Sequence, residues 1–254
     1  MLTLPPGIVW ISSYPKSGNT WVGILLSSLL GEASVPDETA TYATQPAFQA
    51  IADPAAAARI FRTHESWTNR PARAALYVAR DPRDVAVTFA AYQHRTLDEV
   101  IDQMNFDGHY IGPSSGQPGP RIEAWSSHVN SWLDHGHMPV HLIRYEDLLR
   151  DTAGELVRAM AFLGAEGLEE QNVARAVRYA DFAELRRQEQ ARGFHQRTRV
   201  QEIGTRDVSS LARGRAGDWR QYLSVRQVRR LENAHAATML RLGYELVTNR
   251  ESAA

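Results

Sequence analysis

The 254-residue chain has no cysteine, and only one of its 28 cationic residues is lysine. Without cysteine there are no disulfides, no thiolate nucleophile and no Cys-ligated metal. The absence also suits a reducing compartment. Neither sign of charge is in excess: 28 Lys and Arg face 29 Asp and Glu, for a formal net charge of −1. That balance gives no broad basic footprint, so nucleic acid is not expected as a partner. Long apolar runs are missing too. The longest helical one, residues 22–30, is far too short to cross a bilayer. Residues 1–7 show neither the basic region nor the apolar stretch of a signal peptide. The reading is therefore a soluble, cytoplasmic chain with no membrane partner. No internal repeat and no metal-ligand spacing is visible. A hydrophobic content of 43% supports a sizeable core, and the length fits one domain over 1–254.

The lone lysine, Lys16, stands in Ile8-Val9-Trp10-Ile11-Ser12-Ser13-Tyr14-Pro15-Lys16-Ser17-Gly18-Asn19-Thr20-Trp21. This stretch reads as a short apolar strand, a tight Pro/Gly turn and the start of a helix. Backbone N–H groups and a helix N-terminus gather around a phosphate at such a junction. A compact ammonium follows a moving charge in a way the planar guanidinium fork does not.

Along the chain, residues 8–12 predict a central strand and 20–30 a helix ended by Gly31. Residues 39–52 predict a helix, and 59–63 and 74–79 predict strands, the second apolar enough to be buried on both faces. Asp81 caps a helix with Pro82 at its first position, running to about His94. Residues 108–120, with four glycines and three prolines, predict an exposed mobile loop. Further helices are predicted at 121–135, 151–163 and 168–179, with a strand at 140–144. Residues 190–211 are polar, rich in Arg and Gln and without a period, which predicts a lid or a partly ordered segment. Ser224 caps a last helix to about Leu242. Strands alternating with helices give an α/β fold: a central parallel sheet with helices on both faces and a P-loop-like strand–loop–helix. Ligands then belong at the carboxyl ends of the strands.

Four segments carry chemistry. The Lys16 loop is not the usual nucleotide loop, since Gly-x-x-x-x-Gly-Lys-[Ser/Thr] does not occur. In Tyr77-Val78-Ala79-Arg80-Asp81-Pro82-Arg83-Asp84-Val85-Ala86-Val87-Thr88, a strand delivers Arg80 and a helix then offers the Thr88 hydroxyl, a pair suited to clamping a phosphate monoester. Arg80 could equally pair with Asp81 or Asp84. Arg62-Thr63-His64 ends another strand. Leu211-Ala212-Arg213-Gly214-Arg215-Ala216-Gly217-Asp218-Trp219 is a Gly-rich basic turn. Tyr145 and Phe182 offer aromatic faces that could hold a purine or simply pack in the core.

Taken in order, these segments resemble the sulfotransferases that use 3′-phosphoadenosine 5′-phosphosulfate (PAPS), over residues 8–245. Tyr-Pro-Lys-Ser-Gly-Asn-Thr-Trp is similar to that family's 5′-phosphosulfate loop, and the Arg80–Thr88 segment to its 3′-phosphate motif, where the family usually has Ser at the last position. Arg62-Thr63-His64 matches Lys-Thr-His, whose His is the base, with His94, His109 and His128 as rivals to His64 for that role. The last segment matches Arg-Lys-Gly-x-x-Gly-Asp-Trp, with Arg213 and Gly214 in the Lys-Gly places. Ala212 stands where the family has Arg, so that one contact is lost or Arg215 supplies it. The resemblance implies Lys16 and His64 as catalytic residues. It implies donor contacts from Ser17, Gly18, Asn19, Thr20, Trp21, Arg80, Thr88, Tyr145, Phe182, Arg213 and Gly214. The reaction implied is sulfuryl transfer from PAPS, leaving the 3′,5′-bisphosphate PAP, to a hydroxyl or amine of a small-molecule acceptor such as a phenolic natural product or a xenobiotic. No metal is required. The family's dimerisation pattern survives only in part, at Arg220, Ser224, Val225 and Arg229, so no dimer is inferred. The alternatives are a P-loop kinase acting from ATP on a small molecule and a catalytically retired binding module.

Overall fold

A computed structural model describes residues 2–30, 58–69, 71–110, 121–181 and 215–248. Four parallel strands form the main sheet in the order β2-β1-β3-β6: β1 (Gly7–Ser13), β2 (Ala58–Thr63), β3 (Ala74–Ala79) and β6 (Val140–Arg144). The predicted strands are all present, and β1 is central. Because every pairing is parallel, all four carboxyl ends lie on one edge of the sheet.

The strand side chains alternate between two cores, as a pleat requires. Val9 and Ile11 of β1 and Ala74, Leu76 and Val78 of β3 enter one core, which they share with α1 (Asn19–Leu30), α5 (Tyr145–Arg150), α6 (Thr152–Phe162) and α7 (Glu170–Tyr179). Trp10, Ala75, Tyr77 and Ala79 enter the other, shared with α2 (Pro82–Gln93), α3 (Leu97–Met104), α4 (Trp125–Leu133) and α8 (Val225–Arg241). Trp125 and Trp132 are fully buried there. Burial of a side chain of this size contributes roughly 1.5–3 kcal/mol.

Helix α2 starts as the sequence predicts. The Asp81 side chain accepts from the Arg83 amide, and Pro82 occupies the first turn. A cap of this kind stabilises by about 1 kcal/mol. Ser224 caps α8 through a full capping box with Gln227. Three elements depart from the sequence reading. Helix α3 was not foreseen, nor was the short α5 directly after β6. Residues 121–122 form a strand, β5 (Arg121–Ile122), paired antiparallel with β4 (His109–Tyr110), so α4 begins at Trp125 rather than at 121. A two-stranded ladder therefore flanks the Gly/Pro-rich segment on its two sides. The predicted helix at 39–52, the segment 190–211 and residues 111–120 lie outside the described residues. Among the described residues no helix is long and apolar enough to cross a membrane.

Candidate active site

Beyond β1 the chain turns tightly, with the Ser17 amide donating to the Tyr14 carbonyl at 3.2 Å. Lys16 takes a left-handed conformation, φ 67°, which costs a residue with a Cβ roughly 1–2 kcal/mol. At Gly18, φ is +107°, and a Cβ would fall 2.7 Å from the Tyr145 ring, so only glycine fits. Helix α1 follows at once. Its first amides have no intrahelical acceptor, and its first turn holds no acidic residue. The positive end of its dipole completes an anion-binding mouth. The Ser17 hydroxyl is buried there and makes no hydrogen bond among the described residues. The Lys16 ammonium sits 4.5 Å from the centroid of the Tyr92 ring. Burial, and then the charge of Arg80, lower its pKa to about 8.

Two neighbours serve the scaffold more than the mouth. The Asn19 side-chain amide donates to the Ile11 carbonyl at 3.2 Å and the Thr63 carbonyl at 3.0 Å. Asn19 is left with its main-chain N–H to offer an anion. Trp21 donates to the Ala180 carbonyl at 2.9 Å and meets Tyr145 edge-on at 5.7 Å. Both aromatic rings are buried. Thr20 is half-buried in the first turn of α1.

Arg80 emerges from β3 and is 3% exposed. It donates to three neutral oxygens: the Lys16 carbonyl at 3.1 Å, Thr88 Oγ1 at 3.4 Å and the Arg215 carbonyl at 3.1 Å. Its guanidinium lies 4.5 Å from the centroid of the Tyr145 ring, and its Nε is buried without a hydrogen-bond partner. The pairing with Asp81 that the sequence left open for Arg80 belongs to Arg83, three residues on. Thr88 gives its own proton to the Asp84 carbonyl at 2.9 Å and so presents a lone pair to Arg80. The Asp84 carboxylate accepts from the Gly217 amide at 2.6 Å and the Trp219 amide at 2.9 Å. It thereby pins the Gly-Asp-Trp turn to α2, a role the sequence reading missed. Arg80 thus binds the Lys16 loop, α2 and the C-terminal motif into one cradle. Phe182, Arg213 and Gly214 lie outside the described residues, but the Arg215 backbone is part of this cradle.

His64 follows β2. Its Nδ1 lies 2.8 Å from the Ser13 carbonyl, an acceptor only, so Nδ1 carries the proton; Ser13 Oγ is 3.3 Å away. Nε2 then carries the lone pair and makes no hydrogen bond among the described residues. Burial lowers the His64 pKa to about 4, opposed by the Ser13 hydrogen bond and assisted by the positive charges of Arg62 and Lys16. The lowering comes first from burial, which a linear sequence does not display. At neutral pH the ring is wholly in its basic form.

The rival histidines separate cleanly. His94 is the exposed C-cap of α2, with φ 53°. His109 Nε2 is 3.5 Å from the Tyr14 hydroxyl, and its Nδ1 is 3.0 Å from the Phe106 carbonyl. His128 is fully buried beneath His64.

Each of the four parallel strands therefore delivers a site residue just past its carboxyl end: Lys16, His64, Arg80 and Tyr145. A protein-family model for the sulfotransferase domain matches residues 6–243. The chain belongs to the sulfotransferase domain family. Among curated relatives, sulfotransferase 1A1 of Canis lupus familiaris is 27% identical over 255 residues, spanning 92% of this chain and 84% of that protein. The amine sulfotransferase of Oryctolagus cuniculus is 24% identical over 249 residues, spanning 88% and 78%. Solved structures share the fold. Retinol dehydratase in complex with retinol and PAP has a TM-score of 0.65 at 19% identity, covering 93% of this chain and 82% of that one. Mouse sulfotransferase SULT7A1 complexed with PAP has a TM-score of 0.59 at 19% identity, covering 91% and 83%. The sulfotransferase assignment agrees with the reading of the four ordered motifs.

Proposed function

We propose that this sulfotransferase moves a sulfuryl group from PAPS to a hydroxyl, or an amine, of a small-molecule acceptor. The observation that carries the proposal is the convergence of an anion mouth, a half-buried ammonium and a neutral histidine on one edge of the sheet. The residues fit the donor. The mouth of α1 and Ser17, whose buried hydroxyl is without a partner, suit the 5′ end. Arg80, whose hydrogen bonds go to neutral oxygens and whose Nε is unpartnered, suits the 3′-phosphate with Thr88. Arg213 and Gly214 belong with that second group on the strength of the motif.

His64 Nε2 takes the proton of the acceptor hydroxyl as the new S–O bond forms. General-base help of this kind is worth roughly 10²–10⁴-fold. Lys16 meets the negative charge that collects on the bridging oxygen as the old S–O bond breaks, an electrostatic term prepared before the reaction begins. Anchoring the donor at two charged ends holds the sulfur in register with the acceptor. The negative charge of a bound donor raises the pKa of both Lys16 and His64, which keeps the ammonium charged and strengthens the base.

The test is a thermal-shift and calorimetric titration with PAP and, separately, with Mg-ATP, followed by an acceptor screen with radiolabelled PAPS that includes simple phenols and phenolic natural products. Stabilisation by PAP and label transfer to an acceptor are expected. Stabilisation by Mg-ATP without any by PAP would transfer the site to a kinase reading.

A further inference from the structure

His128 is the most deeply buried ring near the site, and the chemistry above makes no use of it. It lies on α4 with no exposed surface, as does Tyr77 of β3. The Tyr77 hydroxyl is 2.8 Å from His128 Nδ1. The single phenolic proton is available to point at Nδ1. On the far side of the ring, His128 Nε2 is 3.1 Å from the His64 carbonyl. A carbonyl only accepts, so Nε2 carries the ring proton and Nδ1 the lone pair. Every group in the chain Tyr77 O–H, His128, His64 C=O then has one direction and no alternative. A His128 that lost this tautomer would set a lone pair against the His64 carbonyl.

Two further contacts hold the same short segment against α4. The Trp132 indole donates to the Glu65 carbonyl at 2.9 Å, and the Trp67 amide donates to Ser131 Oγ at 3.0 Å. These steer residues 65–67. Among the hydrogen bonds described, the one to the His64 peptide itself from α4 comes from His128.

We propose that Tyr77 and His128 form a one-directional hydrogen-bond clamp on the His64 peptide, and that this clamp holds the His64 ring against the Ser13 carbonyl, which fixes its Nδ1–H tautomer with Nε2 facing the acceptor. His128 is a positioning residue: it touches neither donor nor acceptor and acts through the backbone of the base. Burial keeps it neutral, since its pKa is lowered to about 3, so the clamp does not open over the range in which the enzyme works. The inference rests on His64 being the base, but the clamp exists in the free protein and is tested there.

The decisive measurement is ¹⁵N NMR of the histidine rings in the full chain, comparing wild type with Tyr77→Phe, His128→Leu and His128→Gln. In the wild type, His64 is expected in the Nδ1–H tautomer, and the His128 Nε2–H proton is expected to exchange slowly. Tyr77→Phe removes one oxygen and keeps the ring. It is expected to loosen the His64 ring from the Ser13 carbonyl, so that its tautomers mix, and to lower kcat about tenfold, with PAP affinity changed less than twofold. His128→Leu is expected to lower kcat further, about 30-fold or more. His128→Gln, whose amide can still donate toward the His64 carbonyl, is expected to recover most of that loss. An unchanged His64 tautomer in Tyr77→Phe overturns the clamp, and so does a PAP affinity that falls in parallel with kcat. If His128→Leu does not fold, Tyr77→Phe alone decides. If the wild type binds no PAP, the proposed function fails, while the tautomers still judge the clamp.

Discussion

Arg80 and Arg83 sit three residues apart at the mouth of α2, yet their surroundings are opposite. Arg83 is caged by charge: three hydrogen bonds reach the Asp81 carboxylate, at 2.9, 3.2 and 2.7 Å, one reaches Glu232 at 2.7 Å, and the Trp219 ring centroid lies 4.2 Å away. Glu232 in turn accepts from the Val247 and Thr248 amides, so the cage also ties down the end of the described chain. Arg80 is equally buried, but its hydrogen bonds go to neutral oxygens, and the nearby Asp84 carboxylate is engaged by the Gly217 and Trp219 amides. A guanidinium neutralised by carboxylates has little left for a ligand, whereas one cradled by carbonyls keeps its charge for an arriving dianion. The same residue type, in the same motif, thus holds the fold at one position and waits for substrate at the other.

The comparison breaks most visibly at the cage. Arg83→Ala leaves Asp81 and Glu232 buried without their partner and is expected to cost about 3–5 kcal/mol of stability, read by urea unfolding. A loss under 1 kcal/mol would dissolve the distinction. Next in size is Lys16→Ala, expected to lower kcat by roughly 10²–10³ at unchanged Tm in stopped assays of label transfer. Lys16→Arg should recover little, because the flat fork cannot occupy the position of the ammonium. Arg80→Ala should weaken PAP binding by about 2 kcal/mol, roughly 30-fold, in calorimetry, with unfolding barely altered. If Arg80→Ala unfolds the protein and Arg83→Ala spares it, the two roles have been exchanged. The mildest test is pH. His64 works neutral and Lys16 works charged, so kcat/KM should be flat between about 4 and 8, falling below as His64 gains its proton and above as Lys16 loses its own. Because a bound donor raises the pKa of Lys16, the alkaline fall in kcat should come at higher pH than that in kcat/KM.

Much of this was legible in the chain. Strands β1, β3 and β6 announce themselves by apolar content, and α2 by its Asp-Pro start, because each is decided by a local run of residues. Helix α3 was equally announced, by the Thr96-Leu97-Asp98-Glu99 capping box, and was overlooked. Strand β5 was not legible: Arg121 and Ile122 are extended because they pair with His109 and Tyr110, and that partner is remote in sequence. The site divides in the same way. Lys16, His64 and Arg80 stand in short ordered motifs. The Asp84 grip on the Gly217 and Trp219 amides spans more than 130 positions, and no spacing rule points to it. Trp21 and Tyr145 carried a signal as donor contacts, and their burial around the loop at Gly18 is a further feature that the sequence does not display.

The side chain of Asn19 reaches the main chain of two neighbouring strands, at Ile11 and Thr63. Thr63 is the residue before the base, and Asn19 is the third after the ammonium. The two reacting ends of the site are thereby riveted to a common frame, and loops around the acceptor can be exchanged in the course of evolution without altering the span between proton acceptor and leaving group.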